Sequence, residues 1–166
     1  ANEKLDLSGK TVVPGLIDAH CHFLGYGLGL ARVNLLNTKS FTEVIERVSA
    51  YSKKDLQDEK LPRMKNRTNE TKWIIGRGWD QNDWQNKSMP NRKTLDSLFP
   101  ARPVMLTRID GHAVLVNAFA LKLAGITAAT KISGGEIILE NNVPSGVLVD
   151  NAVDLVKRVI PPVDVN

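Results

Sequence analysis

Apolar residues recur at helical spacing in the segment that follows Ser40. The residues that set this spacing are Phe41, Val44, Ile45 and Val48. They predict a helix with one apolar face that runs to about Tyr51. Ser40 and Glu43 stand at the spacing of a capping box, in which the hydroxyl and the carboxylate each accept a backbone N–H at the start of a helix.

Other segments alternate between short apolar runs and helical patterns. Strands are predicted at 73–80, at 103–109, at 135–140 and after the Pro14-Gly15 turn, where a mostly buried strand is expected through 24. Helices are predicted at 91–99, at 112–124 before Gly125, and after a Ser145 cap. This alternation predicts an α/β fold with a largely parallel strand-helix arrangement, in a single segment that covers residues 1–166.

Composition places the chain among ordinary soluble proteins. It has 166 residues, of which 42% are hydrophobic and 24% are charged. It contains no uninterrupted apolar run of the roughly 18 residues that a membrane helix needs, and residues 1–4 lack an apolar signal core. The single cysteine, Cys21, excludes an intrachain disulfide and fits a reducing compartment, so we expect a cytoplasmic protein, with an exported parent protein as the alternative.

The formal net charge of +4 is unevenly distributed. Seven basic residues fall between Lys53 and Lys72, in a stretch that has few apolar residues. A nucleic-acid-binding patch is one interpretation, but acidic residues interrupt the cluster and no aromatic residue lies between Lys54 and Lys72. We therefore predict that residues 53–71 form an exposed insertion or disordered loop, and we expect neither a nucleic-acid partner nor a membrane partner.

The most specific chemical pattern is Asp18-Ala19-His20-Cys21-His22. Because side chains alternate along a strand, Asp18, His20 and His22 are expected on one face of the predicted strand. Two imidazoles so placed can bind one metal ion, and a nearby carboxylate can orient one of the rings. Two histidines at this spacing also occur without any metal, so the neighbouring residues decide between the two interpretations.

Those neighbours carry a family resemblance. The segment from Val12 to His22 resembles, almost letter for letter, the Pro-Gly-hydrophobic-hydrophobic-Asp-x-His-x-His signature of the metal-dependent amidohydrolase superfamily. Further stretches are similar to the branch that includes N-substituted formamide deformylases: Gly76–Trp84, Pro90–Arg92, Leu95-Asp96, Pro103-Val104, Arg108–Asn117, Pro144–Leu148 and Ile160–Pro162. The resemblance runs over residues 8 to 162.

The resemblance implies that the chain is an N-terminal fragment of a hydrolase that cleaves carbon-nitrogen bonds other than peptide bonds. It implies the first part of a TIM barrel with an inserted region, and residues 1–13 as the remnant of a flanking β-sandwich. By resemblance, His20 and His22 bind a divalent metal, with zinc as the expected ion. The other ligands and the general base are expected beyond Asn166, so no catalytic residue is assigned within the chain.

Length agrees with a fragment, because a closed eight-stranded α/β barrel takes about 250 residues. A catalytic zinc needs about three protein ligands and an open position, so the isolated chain is expected to bind metal weakly and to be inactive. A part of a barrel also exposes strand edges, which favours a homo-oligomer. The alternative is a non-catalytic α/β binding or interaction domain that keeps His20 and His22 for structure.

Three further residues are candidates for contact with a small-molecule, amide-like substrate. Trp79 and Asp80 follow a glycine-rich strand end and are expected either to line a substrate pocket, in line with the family resemblance, or to belong to a surface loop. His112 follows the predicted strand at 103–109 and is expected near the start of a helix, either in contact with substrate or packed beside an Asp110 cap.

Overall fold

The computed structural model describes residue 4 and residues 6–20, 23–57 and 72–162. Within these residues the chain forms six strands and five α-helices. The strands are β1 (Val33–Asn34), β2 (Ile74–Trp79), β3 (Val104–Arg108), β4 (Ala113–Val116), β5 (Gly135–Glu140) and β6 (Val143–Asp150). The helices are α1 (Phe23–Leu30), α2 (Phe41–Gln57), α3 (Lys93–Leu98), α4 (Ala118–Leu123) and α5 (Asn151–Lys157).

All six strands form one sheet in the order β1-β2-β3-β4-β6-β5. The predicted α/β class is confirmed, but only β1, β2 and β3 are parallel, and the other three pairings are antiparallel. The lengths of the connections explain the difference. A parallel crossover needs a dozen or more residues, whereas residues 109–112 alone join β3 to β4. Asn141 and Asn142, both with positive φ, form the two-residue turn between β5 and β6.

The sheet separates two apolar clusters because alternate residues of its central strands point to opposite faces. Ile74, Val104 and Leu106 belong to one cluster, which packs against α2 and α3. Ile75 and Met105 belong to the other cluster, which packs against α4 and α5. Helices therefore cover both faces of the central strands, which explains why these strands are almost continuously apolar.

The predicted helix after Ser40 is confirmed as α2. The Ser40 hydroxyl accepts the backbone N–H of Glu43 at 3.1 Å, as a capping box requires. The Glu43 carboxylate, however, accepts the N–H of Lys39 at 2.7 Å, one residue before the position that the motif predicts. The helix continues through residues 53–57, which the sequence assigns to the exposed loop, and residues 58–71 lie outside the described residues.

Two predicted elements near the end of the chain are wrong. Residues 112–124 form β4 and then α4 instead of one helix, because β4 is buried on both faces and pairs with a strand on each side. Such a continuous apolar run does not distinguish a buried helix from a central strand. Ser145 lies inside β6, where its hydroxyl accepts the N–H of Val147, and it does not cap a helix.

The predicted strand after Pro14 is also wrong for the described residues up to 20. Residues 11–20 are exposed and form no strand, and Leu16 and Ile17 are 101% and 91% exposed. A strand needs a hydrogen-bonding neighbour. Within the described residues, β1 is an edge strand that pairs only with β2, so residues 11–20 do not pair with it. Residues 6–13 likewise lie in no strand, so the β-sandwich remnant stays a prediction.

Candidate functional site at one edge of the sheet

Four strand ends bring polar residues together at one edge of the sheet. The parallel strands β2 and β3 end there, and so does β6, while the antiparallel β4 begins there. We call this group of residues the polar edge: Asp80, Arg108, Asp110, His112 and Asp150. In open α/β sheets, ligands bind outside the carboxyl ends of the parallel strands, which makes the polar edge the candidate site.

Arg108 and Asp110 form an ion pair in the turn that leaves β3. Arg108 Nε donates to Asp110 Oδ2 at 3.1 Å, and Nη2 donates to the same oxygen. These hydrogen bonds hold the pKa of Asp110 below its ordinary value and raise the pKa of Arg108. The negative charge of Asp80 adds to the rise in the pKa of Arg108. The Arg108 guanidinium thus pairs with Asp110 and also lies in the electrostatic field of Asp80.

His112 is held by two aspartates. Its backbone N–H donates to Asp110 Oδ1 at 3.0 Å, and its Nδ1 lies 2.9 Å from Asp150 Oδ1. A carboxylate can only accept, so Nδ1 carries the proton in the neutral imidazole and Nε2 is left as an acceptor. The His112 side chain is 71% exposed, which leaves the ring accessible to a ligand. His112 precedes strand β4 and not the helix that the sequence predicts.

Asp150 is a residue of the polar edge that no motif in the sequence indicates, and its backbone conformation is unusual. Its φ of 50° and ψ of −123° lie outside the regions that non-glycine residues favour. It precedes α5, yet its side chain makes no capping hydrogen bond there and instead contacts His112. Its N–H also donates to the His112 carbonyl at 2.8 Å. Strained residues of this kind cluster at functional sites, and no sequence signal reveals the strain.

Trp79 and Asp80 are adjacent but lie in different environments. The Trp79 indole is 1% exposed, and its Nε1 donates to the Leu106 carbonyl at 2.8 Å inside the core. Asp80 is half-buried, and its Oδ1 accepts the N–H of Asn82 at the start of a short 3₁₀ turn (Gln81–Asp83). The structure therefore brings Asp80 and His112 to the polar edge and places Trp79 beneath it.

The structure describes only one of the two histidines of the metal signature, so the proposed metal pair stays a prediction. His20 lies in the exposed segment, with its backbone N–H bonded to Asp18 Oδ1 at 3.0 Å, and His22 lies outside the described residues. Across the described part of the chain, no three His, Cys, Asp or Glu side chains are grouped so that they could hold a metal ion. A catalytic zinc needs about three protein ligands, so the described residues do not form a complete zinc site.

Comparison with known proteins identifies the family. The Amidohydro_3 model, described as the amidohydrolase family, matches residues 3–165. The chain belongs to the amidohydrolase family. This confirms the resemblance carried by the segment from Val12 to His22.

Individual relatives are considerably longer than this chain. YtcJ of Bacillus subtilis (strain 168), named as a candidate amidohydrolase, is 34% identical over 163 residues, which are 97% of this chain and 28% of YtcJ. The protein LONG AFTER FAR-RED 3 of Arabidopsis thaliana is 34% identical over 98% of this chain and 26% of its own length. The N-substituted formamide deformylase of Arthrobacter pascens is 32% identical over 92% of this chain and 27% of its own length. The chain thus spans about a quarter of the curated relatives that it matches.

A solved structure has a similar fold. The crystal structure of an uncharacterized metal-dependent hydrolase from Pyrococcus horikoshii OT3 superposes with a TM-score of 0.57 at 24% identity. The match covers 86% of this chain and 23% of that one. Within the described residues, no helix is both long enough and apolar enough to cross a membrane.

Proposed function

We propose that this chain is part of a metal-dependent amidohydrolase that hydrolyses carbon-nitrogen bonds, other than peptide bonds, in small-molecule amides. In that reaction water is added across the C–N bond, which yields a carboxylic acid and an amine. The family match over residues 3–165 supports the hydrolase class, and the name of the Arthrobacter relative supports a formamide-like substrate. The observation that carries the proposal in this structure is the convergence of the polar edge at the carboxyl ends of β2 and β3.

His112 is the residue of the polar edge best placed to meet an amide. Its Nδ1 is engaged by Asp150, so Nε2 of the neutral ring accepts a hydrogen bond from the N–H of the substrate. Asp150 is then a positioning residue, because it sets both the tautomer and the angle of the ring. Asp80 supplies a second acceptor at the same edge, whereas the buried Trp79 supports the site from below.

His20 and His22 are proposed as two ligands of a divalent metal, with zinc as the expected ion. In the family, such an ion lowers the pKa of a bound water and so supplies the nucleophile. The proposal requires further ligands from outside the described residues, because these provide no complete set. The isolated chain is therefore expected to bind metal weakly and to be inactive. Its cytoplasmic location and its homo-oligomeric state also stay predictions.

The experiment uses the proposed full-length protein, of which this chain is one part. The metal-loaded protein is assayed for release of amine from N-substituted formamides and related small amides. Asp150→Gly removes the carboxylate while tolerating the positive φ, and we expect kcat/KM to fall about 10-fold to 100-fold, as for other residues that orient functional histidines. Asp150→Asn keeps an acceptor for Nδ1–H and should recover part of the loss.

Lys131→Gln is the control, because Lys131 is exposed and lies outside the polar edge. It should leave kcat/KM unchanged. If the Asp150→Gly variant has the same kcat/KM as the wild type, the polar edge does not contribute to catalysis and that part of the proposal is refuted. Failure of the metal-loaded protein to hydrolyse any C–N substrate would refute the hydrolase function and favour the alternative of a binding domain.

A further inference from the structure

Two arginines from neighbouring parts of the sheet line one cavity beside the turn that carries Asp110. Arg32 immediately precedes β1, and Arg77 belongs to β2, where it is aligned with Asn34 of β1. Arg77 Nη2 donates to the Ile109 carbonyl at 3.0 Å, which anchors that guanidinium. Burial and the nearby positive charge of Arg77 both lower the pKa of Arg32. We call these two residues the arginine pair.

The arginine pair includes a buried donor that the described residues do not satisfy. Arg32 Nε is buried and has no hydrogen-bond acceptor within the described residues. A buried charged donor without a partner is costly, because it has lost water and gained nothing in return. Two like charges close together add to that cost. A bound anion would satisfy the buried Nε and offset the repulsion between the two guanidinium groups.

A cavity of about 330 Å³ opens beside the arginine pair. Thr107 and Lys157 supply further donors to its wall, and none of its described lining residues is acidic. The rest of the wall is mostly apolar: Ile75, Met105, Ile160, Pro161 and Pro162. The volume lies within the range of small-molecule sites, which combine an apolar wall with a few convergent polar groups. A ligand that fits this wall has one anionic end and one apolar end.

We propose that the arginine pair and this cavity form a binding site for a small organic anion, in which the guanidinium groups bind a carboxylate or phosphate group and Ile75 and Met105 contact its apolar part. Arginine binds the planar or tetrahedral oxygens of such groups through paired N–H donors, which lysine cannot reproduce. The site lies among the described residues and requires neither a metal nor turnover. Its failure would therefore leave the proposed hydrolase function untouched.

The test is an NMR titration of the 166-residue chain labelled with ¹⁵N, following the Nε–H signals of Arg32 and Arg77. Butyrate, acetate and inorganic phosphate are added separately at constant ionic strength, with chloride as the reference anion. We expect saturable shifts of both arginine signals, with butyrate binding more tightly than acetate. Tighter binding of phosphate than of butyrate would assign the anionic group as a phosphate and would still support the site.

Variants separate the site from general attraction to a basic protein. Arg32→Gln and Arg77→Gln should each weaken anion binding about tenfold or more, since a charge-assisted hydrogen bond is lost. Arg77→Lys keeps the charge and should still weaken binding, because the paired donors are lost. Lys131→Gln removes the same charge elsewhere and should change nothing. The absence of saturable shifts, or equal weakening by Lys131→Gln, would overturn the proposal.

Discussion

The side chain of Asn117 joins three segments at the end of β3 opposite the polar edge, and its removal should be unusually costly. Asn117 is 0% exposed, and it makes four hydrogen bonds to the backbone. Its Oδ1 accepts the N–H groups of Val104 at 3.0 Å and Ala120 at 3.1 Å. Its Nδ2 donates to the carbonyls of Phe99 and Arg102, both at 2.9 Å. The start of β3, the start of α4 and the loop after α3 thus depend on one amide.

Asn117→Ala leaves four buried backbone groups without this partner. At about 1 kcal/mol for each hydrogen bond, the free energy of unfolding should fall by about 4 kcal/mol. That is a large part of the roughly 5–15 kcal/mol that stabilises a typical domain. Asn117→Asp keeps the two acceptor contacts but turns a carboxylate oxygen toward the two carbonyls, so it should be at least as destabilising as the alanine variant.

Urea unfolding followed by tryptophan fluorescence measures the effect. The midpoint should shift to lower urea, and the slope of the transition should stay unchanged if the variants remain two-state. Asn82→Ala is the matched control, because Asn82 is exposed, and its variant should unfold like the wild type. A loss below about 1 kcal/mol for Asn117→Ala would refute the idea that these contacts hold the three segments together.

Two further predictions follow from the ion pair and from the glycines. Because the pKa of Asp110 lies below its ordinary value of 3.8, its ion pair with Arg108 contributes stability above that value, and this contribution is lost as the pH falls through the lowered pKa. Thermal melts between neutral and acidic pH should show a smaller acid-induced loss for Asp110→Asn than for the wild type, and parallel curves would contradict this. Gly125→Ala should cost about 1 kcal/mol from its positive φ alone, since a Cβ there meets no atom within 4 Å. Gly146→Ala should cost more, because its φ is also positive and a Cβ would lie 2.4 Å from the Val116 carbonyl oxygen; equal melting temperatures for the two variants would count against this packing.

Local signals in the sequence predicted several elements because the relevant forces act over a few residues. The apolar spacing after Ser40 predicted α2, and the apolar run after Pro103 predicted β3. The same reasoning failed for β4, because only the neighbouring β3 and β6 decide that this apolar run is extended. It also failed for residues 11–20, whose apolar side chains are exposed and which pair with no strand within the described residues.

Some residues of the candidate site can likewise be predicted from the sequence, and others only from the tertiary structure. The sequence alone determined the family, through the signature from Pro14 to His22, and it marked Asp80 and His112 as candidates, because residue types at fixed spacing carry that information. Only the tertiary structure showed that Trp79 is buried and that Asp150 meets His112, 38 residues away in the chain. The arginine pair also depends on the pairing of β1 with β2. Sheet pairing and burial are long-range properties, which no short window of sequence contains.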